Sequence, residues 1–180
     1  MDTKILIGAD IVPTKSNYVE FIEGNVETLV GKTMCDLLHE MDFTIFNLEV
    51  PLTDVISPLQ KCGPNLQALS KTINGIKKLN PYFFTLANNH ILDQSVQGLK
   101  ATMEILNREN IKYAGAGNDL KEASKPFVFE KNGINLIPCS CILQNSSFNC
   151  SFVFSFRAFF NPSFSFSVRN SIPAISVSSI

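Results

Sequence analysis

Three short runs end in residues able to do chemistry at a shared point: Ile5-Leu6-Ile7-Gly8-Ala9-Asp10, Ile45-Phe46-Asn47-Leu48-Glu49 and Phe84-Thr85-Leu86-Ala87-Asn88-Asn89-His90. Carboxylates and amide oxygens are hard donors and an imidazole is a borderline one. Asp10, Glu49 and Asn89 with His90 therefore make a mixture suited to Mn²⁺, Zn²⁺, Fe or Mg²⁺, as one ion or a pair. The run Asn88-Asn89-His90-Ile91-Leu92-Asp93 is the most specific. In a two-metal phosphoesterase an amide oxygen can ligate metal while the adjacent histidine handles the proton of the leaving-group oxygen. Asp93, three residues on, is spaced to orient His90 as an outer carboxylate or to cap the helix that follows, and the two roles are compatible.

Taken singly, these residues also fit plain structural roles. Asp10 can open a turn before Pro13, Asn47 and Glu49 can sit on a solvated strand face, and Asn89 can make an Asx turn. The coincidence at three strand ends favours the chemical reading, because in open α/β sheets ligands gather where the carboxyl ends of the strands converge. Lys61, in Lys61-Cys62-Gly63-Pro64-Asn65, is a loop cation that could meet an anionic substrate or simply be solvated. Gly115-Ala116-Gly117-Asn118 lacks the third glycine and long preceding strand of a dinucleotide motif and reads as a turn. His39, near the end of a predicted helix, reads as a partner of the helix dipole.

The elements that would position these groups alternate in type up to about residue 137, the pattern of an α/β sheet. Strands are predicted at Lys4–Gly8, Phe43–Leu48, Tyr82–Ala87, Ile111–Tyr113, Phe127–Glu130 and Ile134–Ile137. The last two flank Lys131-Asn132-Gly133, whose Asn-Gly pair supplies the positive φ angles of a tight hairpin. Between them, Val30, Met34, Leu37 and Leu38 share one helical face, as do Leu69, Ile73 and Ile76, and then Leu99, Met103 and Leu106. The third helix has Asp93 at its expected N-cap and Asn107 to Asn110 as a polar stop. A short fourth helix, Asp119 to Ser124, ends before Pro126.

Composition narrows the possibilities further. The chain has 180 residues, 45% of them hydrophobic, and a formal net charge of −1, enough to bury one core and without the basic bias of a nucleic-acid partner. No run reaches the roughly 18 apolar residues that cross a bilayer. The N-terminus passes directly into Ile5-Leu6-Ile7-Gly8 with no secretory h-region, so the expected location is cytoplasmic. The five cysteines, without Cys-x-x-Cys spacing, are expected to be reduced. After residue 137 the character changes. Eight of the 15 phenylalanines fall between residues 148 and 166, interleaved with serines, and the last acidic residue is Glu130. This divides the chain into 1–137 and a Phe/Ser-rich tail, 138–180, which is expected to be disordered or aberrant.

Asn47-Leu48-Glu49-Val50-Pro51-Leu52-Thr53, then Leu86-Ala87-Asn88-Asn89-His90 with Asp93 and Gly98, then Tyr113-Ala114-Gly115-Ala116-Gly117, then Ala123 with Pro126, resemble the ordered signatures of CapA-type poly-γ-glutamate capsule proteins. The resemblance runs from about residue 4 to about residue 137. It implies an α/β calcineurin-like metallophosphatase sandwich, two sheets flanked by helices, with a metal centre at the sheet ends. It also implies a metal-dependent hydrolase or phosphoesterase in capsule biosynthesis, working on an anionic polymer or small phosphorylated substrate with capsule-assembly proteins as partners. Carried over, Asp10, Glu49 and Asn89 would hold metal and His90 would serve catalysis; the reading of the residues themselves adds Asp93 to the catalytic set and Asn47, Lys61 and Asn88 to the substrate contacts. A non-catalytic polymer- or partner-binding component is the alternative. Two departures stand out: Val12 lies where ordinary metallophosphatases carry a histidine two residues after the aspartate, and His39 and His90 are the chain's two histidines. With the tail, they imply a truncated or frame-shifted, incomplete and inactive member of the family.

Overall fold

The computed structural model describes residues 3–131, 134–144 and 150–159, with side chains described as far as residue 131. Strands β1 (Ile5–Ile11), β2 (Phe43–Leu48), β3 (Phe83–Thr85) and β4 (Lys112–Ala114) form a parallel sheet in the order β1-β2-β3-β4. All six residues of β2 are buried, as expected of a central parallel strand covered on both faces. The helices are α1 (Tyr18–Glu23), α2 (Glu27–Val30), α3 (Lys32–His39), α4 (Ile73–Lys78), α5 (Ser95–Arg108) and α6 (Leu120–Ala123).

The strand order explains the layers. Parallel strands added in sequence, each through a crossover of the same hand, place their connecting helices on one face of the sheet. On that face Phe46, Leu48, Phe84 and Leu86 pack with Phe21, Leu38, Ile76, Leu99 and Leu106. The opposite face carries Phe43, Ile45 and Phe83, covered by Phe127 and Phe129. Phe129 meets Phe43 edge-on with ring centroids 4.9 Å apart, and Phe127 lies 5.3 Å from Phe83, separations at which aromatic pairs attract beyond their buried area. These rings lead into a second, antiparallel sheet, β5-β6-β7, made of Phe129–Lys131, Ile134–Gln144 and Cys150–Phe159. Four parallel strands flanked by helices, with this second sheet, are the α/β sandwich the sequence implied, in incomplete form. Among the described residues no helix is long and apolar enough to cross a membrane.

Several boundaries differ from the sequence reading, each for a physical reason. The first strand continues past Gly8 to Ile11, because an irregularity between Ile7 and Asp10 restores its pairing with β2 at Asp10–Asn47. The third is only Phe83–Thr85. Helix α1 has too short a periodic run to be seen, although its Phe21 is buried. Val30 belongs to α2 and is exposed, since the chain breaks at Gly31 with φ of 81° before α3. Leu69 precedes the α4 turn and is exposed, while Ile73 and Ile76 are buried. The predicted Asn-Gly turn lies outside the described residues, although Lys131 pairs with Ile134 as that hairpin requires. Within 138–180, β6 runs to Gln144 and β7 covers Cys150–Phe159; residues 145–149 and 160–180 lie outside the described residues.

One glycine decides where Asp10 can stand. A Cβ on Gly8 would lie 2.3 and 2.4 Å from two ring atoms of Phe46, a side chain locked in the helical-face core. Gly8→Ala should therefore destabilise the fold by about 1–3 kcal/mol through overpacking. Combining it with Phe46→Leu should recover part of that loss, a non-additivity that urea denaturation of the single and double variants would measure. Additive losses would show that the two positions are independent.

Candidate functional site

The site is assembled at the carboxyl ends of β1, β2 and β3. The pairing of Asp10 with Asn47 brings the end of β1 level with the end of β2, and Asn47 is level with Thr85 on β3. Asn47 is 4% exposed and uses both ends of its amide. Its Nδ2 donates to Asp10 Oδ1 at 2.7 Å, and its Oδ1 accepts from Thr85 Oγ1 at 2.9 Å and Asn88 Nδ2 at 3.3 Å. Asn88 is buried too, donating to the Leu48 carbonyl at 2.8 Å and accepting the His90 amide at 3.0 Å. This chain of bonds ties the three strand ends together and sets the path of the backbone into His90.

Two titratable pairs stand on this base. Glu49 lies against Asp10. Burial first, then a hydrogen bond with the Asp10 carboxyl and the charges of Asp10 and Asp93, push the Glu49 carboxyl up to about 7. In the second pair, His90 Nδ1 is 2.7 Å from Asp93 Oδ2. Asp93 is only 1% exposed and also receives the Leu66 amide at 2.6 Å and the Lys61 ammonium. Its side chain thus points back to His90 and across to a loop, and Gln94 takes the N-cap position of α5. The cap expected of Asp93 is displaced because a carboxylate buried this deeply needs charged or multiple donors more than a helix end needs one acceptor.

The site residues expected from sequence therefore separate into groups. Asp10, Glu49, His90 and Asp93 are brought into one electrostatic neighbourhood. Asn89, next to His90 in the chain, is exposed. Asn47 and Asn88, expected to meet substrate, and Asn47 in one reading on a solvated strand face, are buried and committed to neighbouring groups. Lys61, expected at an anionic substrate, is paired with Asp93. Thr85 and Gln94 were missed. Thr85 lay inside an apolar run. Gln94 gave no sequence signal, yet it is buried and spans to Ser57 N at 2.9 Å and the Leu66 carbonyl at 3.2 Å. His39 meets the Cys35 carbonyl at 2.8 Å at the end of α3, away from this network.

The meeting of the Asp10 and Glu49 oxygens suits one side of a divalent-cation site, since adjacent carboxylates repel unless a proton or cation lies between them. Among the described residues no group of three or more His, Cys, Asp or Glu is placed to hold a metal ion, so these residues do not complete such a site.

Comparison with known proteins follows the same residues. The family model for "Bacterial capsule synthesis protein PGA_cap" matches residues 9–153, past the change in composition at 137. The chain is similar to PGA biosynthesis protein CapA of Bacillus subtilis (strain 168), 33% identical over 102 residues, covering 56% of this chain and 27% of that protein. Capsule biosynthesis protein CapA of Bacillus anthracis is 28% identical over 102 residues, covering 55% of this chain and 25% of that protein. An uncharacterized protein of Sinorhizobium fredii is 28% identical over 132 residues, 64% of this chain and 26% of that one. The chain spans about a quarter of the length of the curated relatives it matches. Since the matched span takes in most of the chain and every residue from Asp10 to Asp93, the protein belongs to the bacterial capsule synthesis protein PGA_cap family.

Proposed function

We propose that the full-length protein serves capsule-polymer biosynthesis as a hydrolase of the phosphoesterase type, acting on an anionic polymer or a small phosphorylated substrate at the ends of β1, β2 and β3. The observation that supports this reading is that a pair of carboxyls and a carboxylate–histidine pair share one place: Glu49 feels the charges of both Asp10 and Asp93, and Asp93 holds His90. Without a cation the Glu49 carboxyl keeps its proton up to about 7, through burial first and then the neighbouring carboxylates, whose repulsion a bound divalent cation would relieve. With Nδ1 engaged by Asp93, His90 has Nε2 as its remaining nitrogen for a substrate oxygen. Asn47 fixes Asp10, and Asn88 fixes the backbone that presents Asn89 and His90. A divalent cation held by Asp10 and Glu49 with Asn89 beside them would, when bound, offset the charge of an anionic substrate and polarise a water.

A second reading, a non-catalytic component that binds polymer or an assembly partner, draws on Val12 standing where a histidine would complete a metal set and on the absence of a three-ligand cluster among the described residues. Assay of the full-length protein on a nitrophenyl phosphodiester with added Mn²⁺ separates the two. The hydrolase reading expects turnover that falls about 100- to 10,000-fold in His90→Gln and about 10- to 100-fold in Asp93→Asn. No turnover in the parent protein leaves only the binding role.

The Glu49 carboxyl also makes a prediction about stability. In protein freed of metal with EDTA, it keeps its proton up to about 7 in the fold but releases it near 4.5 when unfolded. The folded state therefore binds more protons across that window, so stability falls as pH rises from about 4.5 to about 7 and levels off above. Glu49→Gln should remove this component of the decline. Urea midpoints measured at pH steps across the window test it; identical pH profiles for parent and variant would contradict it.

A further inference from the structure

The loop between β2 and α4 is fastened to the turn that follows His90 by contacts the proposed chemistry does not use. Ser57 N donates to Gln94 Oε1 at 2.9 Å, the Leu59 amide to the Asp93 carbonyl at 3.0 Å, and Ser95 Oγ to the Ser57 carbonyl at 2.7 Å. Gln94 Nε2 returns to the Leu66 carbonyl at 3.2 Å. Ser95 holds φ of 57° to make this junction, a conformation non-glycine residues adopt only when their surroundings demand it. At the centre is the Asp93 carboxylate, nearly inaccessible to water, with His90 Nδ1 and the Leu66 amide on one oxygen and the Lys61 ammonium on the other.

A buried carboxylate without a counter-charge is strongly unfavourable. Of its three partners, only Lys61 carries a permanent positive charge. The Lys61 side chain is 21% exposed, so its ammonium is partly withdrawn from water to make the pair. We propose that Lys61 is a positioning residue for His90. Its ammonium holds the Asp93 carboxylate in place beneath the imidazole, and its place on the loop makes the orientation of His90 depend on the loop being closed over the Asp93-Gln94-Ser95 turn. This inference rests on the reading of His90 as the proton-transfer group, but its test needs no turnover.

The chain has two histidines, so nitrogen-edited NMR of the full chain, with His90→Gln as the assignment control, can isolate the His90 Nδ1–H signal. A proton held by a buried carboxylate resonates downfield and exchanges slowly. Lys61→Met should lose that signal and speed exchange of the Leu66 amide by about tenfold or more, while Lys61→Arg should keep both. If Lys61→Met does not fold, Lys61→Gln, which retains length and a donor but no charge, takes its place in the comparison. Retention of the signal and of Leu66 protection in the uncharged variant, or equal behaviour of the charged and uncharged variants, overturns the proposal. Failure of the full-length protein to hydrolyse any ester would instead remove the proposed function and leave this measurement unaffected.

Discussion

A polar side chain at the end of a strand buried on both faces must find all its partners within the protein, and Asn47 is under that constraint. Its amide can satisfy itself only by reaching β1 on one side and β3 on the other. The same bonds that prevent an unpaired buried dipole therefore bring Asp10, Thr85 and Asn88 to fixed positions. The acids and the histidine stand on this polar floor, and moving Asn47 would disturb three strand ends together.

The floor depends in turn on how the two faces of the sheet are covered. Helices on one face fix β2 and β3 through Phe46, Leu48, Phe84 and Leu86, and on the other the rings of Phe127 and Phe129 close over Phe43, Ile45 and Phe83. Gly8, lacking a Cβ, leaves room for the Phe46 ring against β1. The irregularity that follows, a type of defect common beside functional sites, returns Asp10 to register with Asn47. Packing and placement of the site are thus consequences of one arrangement. A second buried polar group, the Asp93 carboxylate, repeats the logic outside the sheet: its need for donors draws in His90, Lys61 and Leu66 and so couples the loop after β2 to the turn before α5.

Much of this was legible in the residues. The apolar runs at Phe43–Leu48 and around Phe83 marked parallel strands, the spacing of Leu99, Met103 and Leu106 marked α5, and the convergence of Asp10, Glu49 and His90 followed from strands that end in polar groups. What could not be read were distinctions that depend on which neighbour lies across a gap in sequence. Asn47 alternates correctly for either a wet or a buried face, and only the fold, which seats it among Asp10, Thr85 and Asn88, makes it buried. Asp93 has the position of an N-cap, but its carboxylate is taken by His90 and by Lys61 and Leu66 from the distant loop. Gln94 carries no motif, and its importance comes entirely from the loop folded onto it.

The sequence by itself determined the periodicities, and with them the identity of the strands and helices and the polar residues at their ends, because these follow from local geometry and from the water-avoiding faces that each period creates. Only the tertiary structure decided how those polar residues divide. Asp10, Glu49, His90 and Asp93 share one electrostatic environment, whereas Asn47, Asn88 and Lys61 are bonded inward to neighbouring groups. The physical reason is burial: whether a donor or a charge acts outward on a ligand or inward on a neighbour depends on its distance from water, which the fold sets.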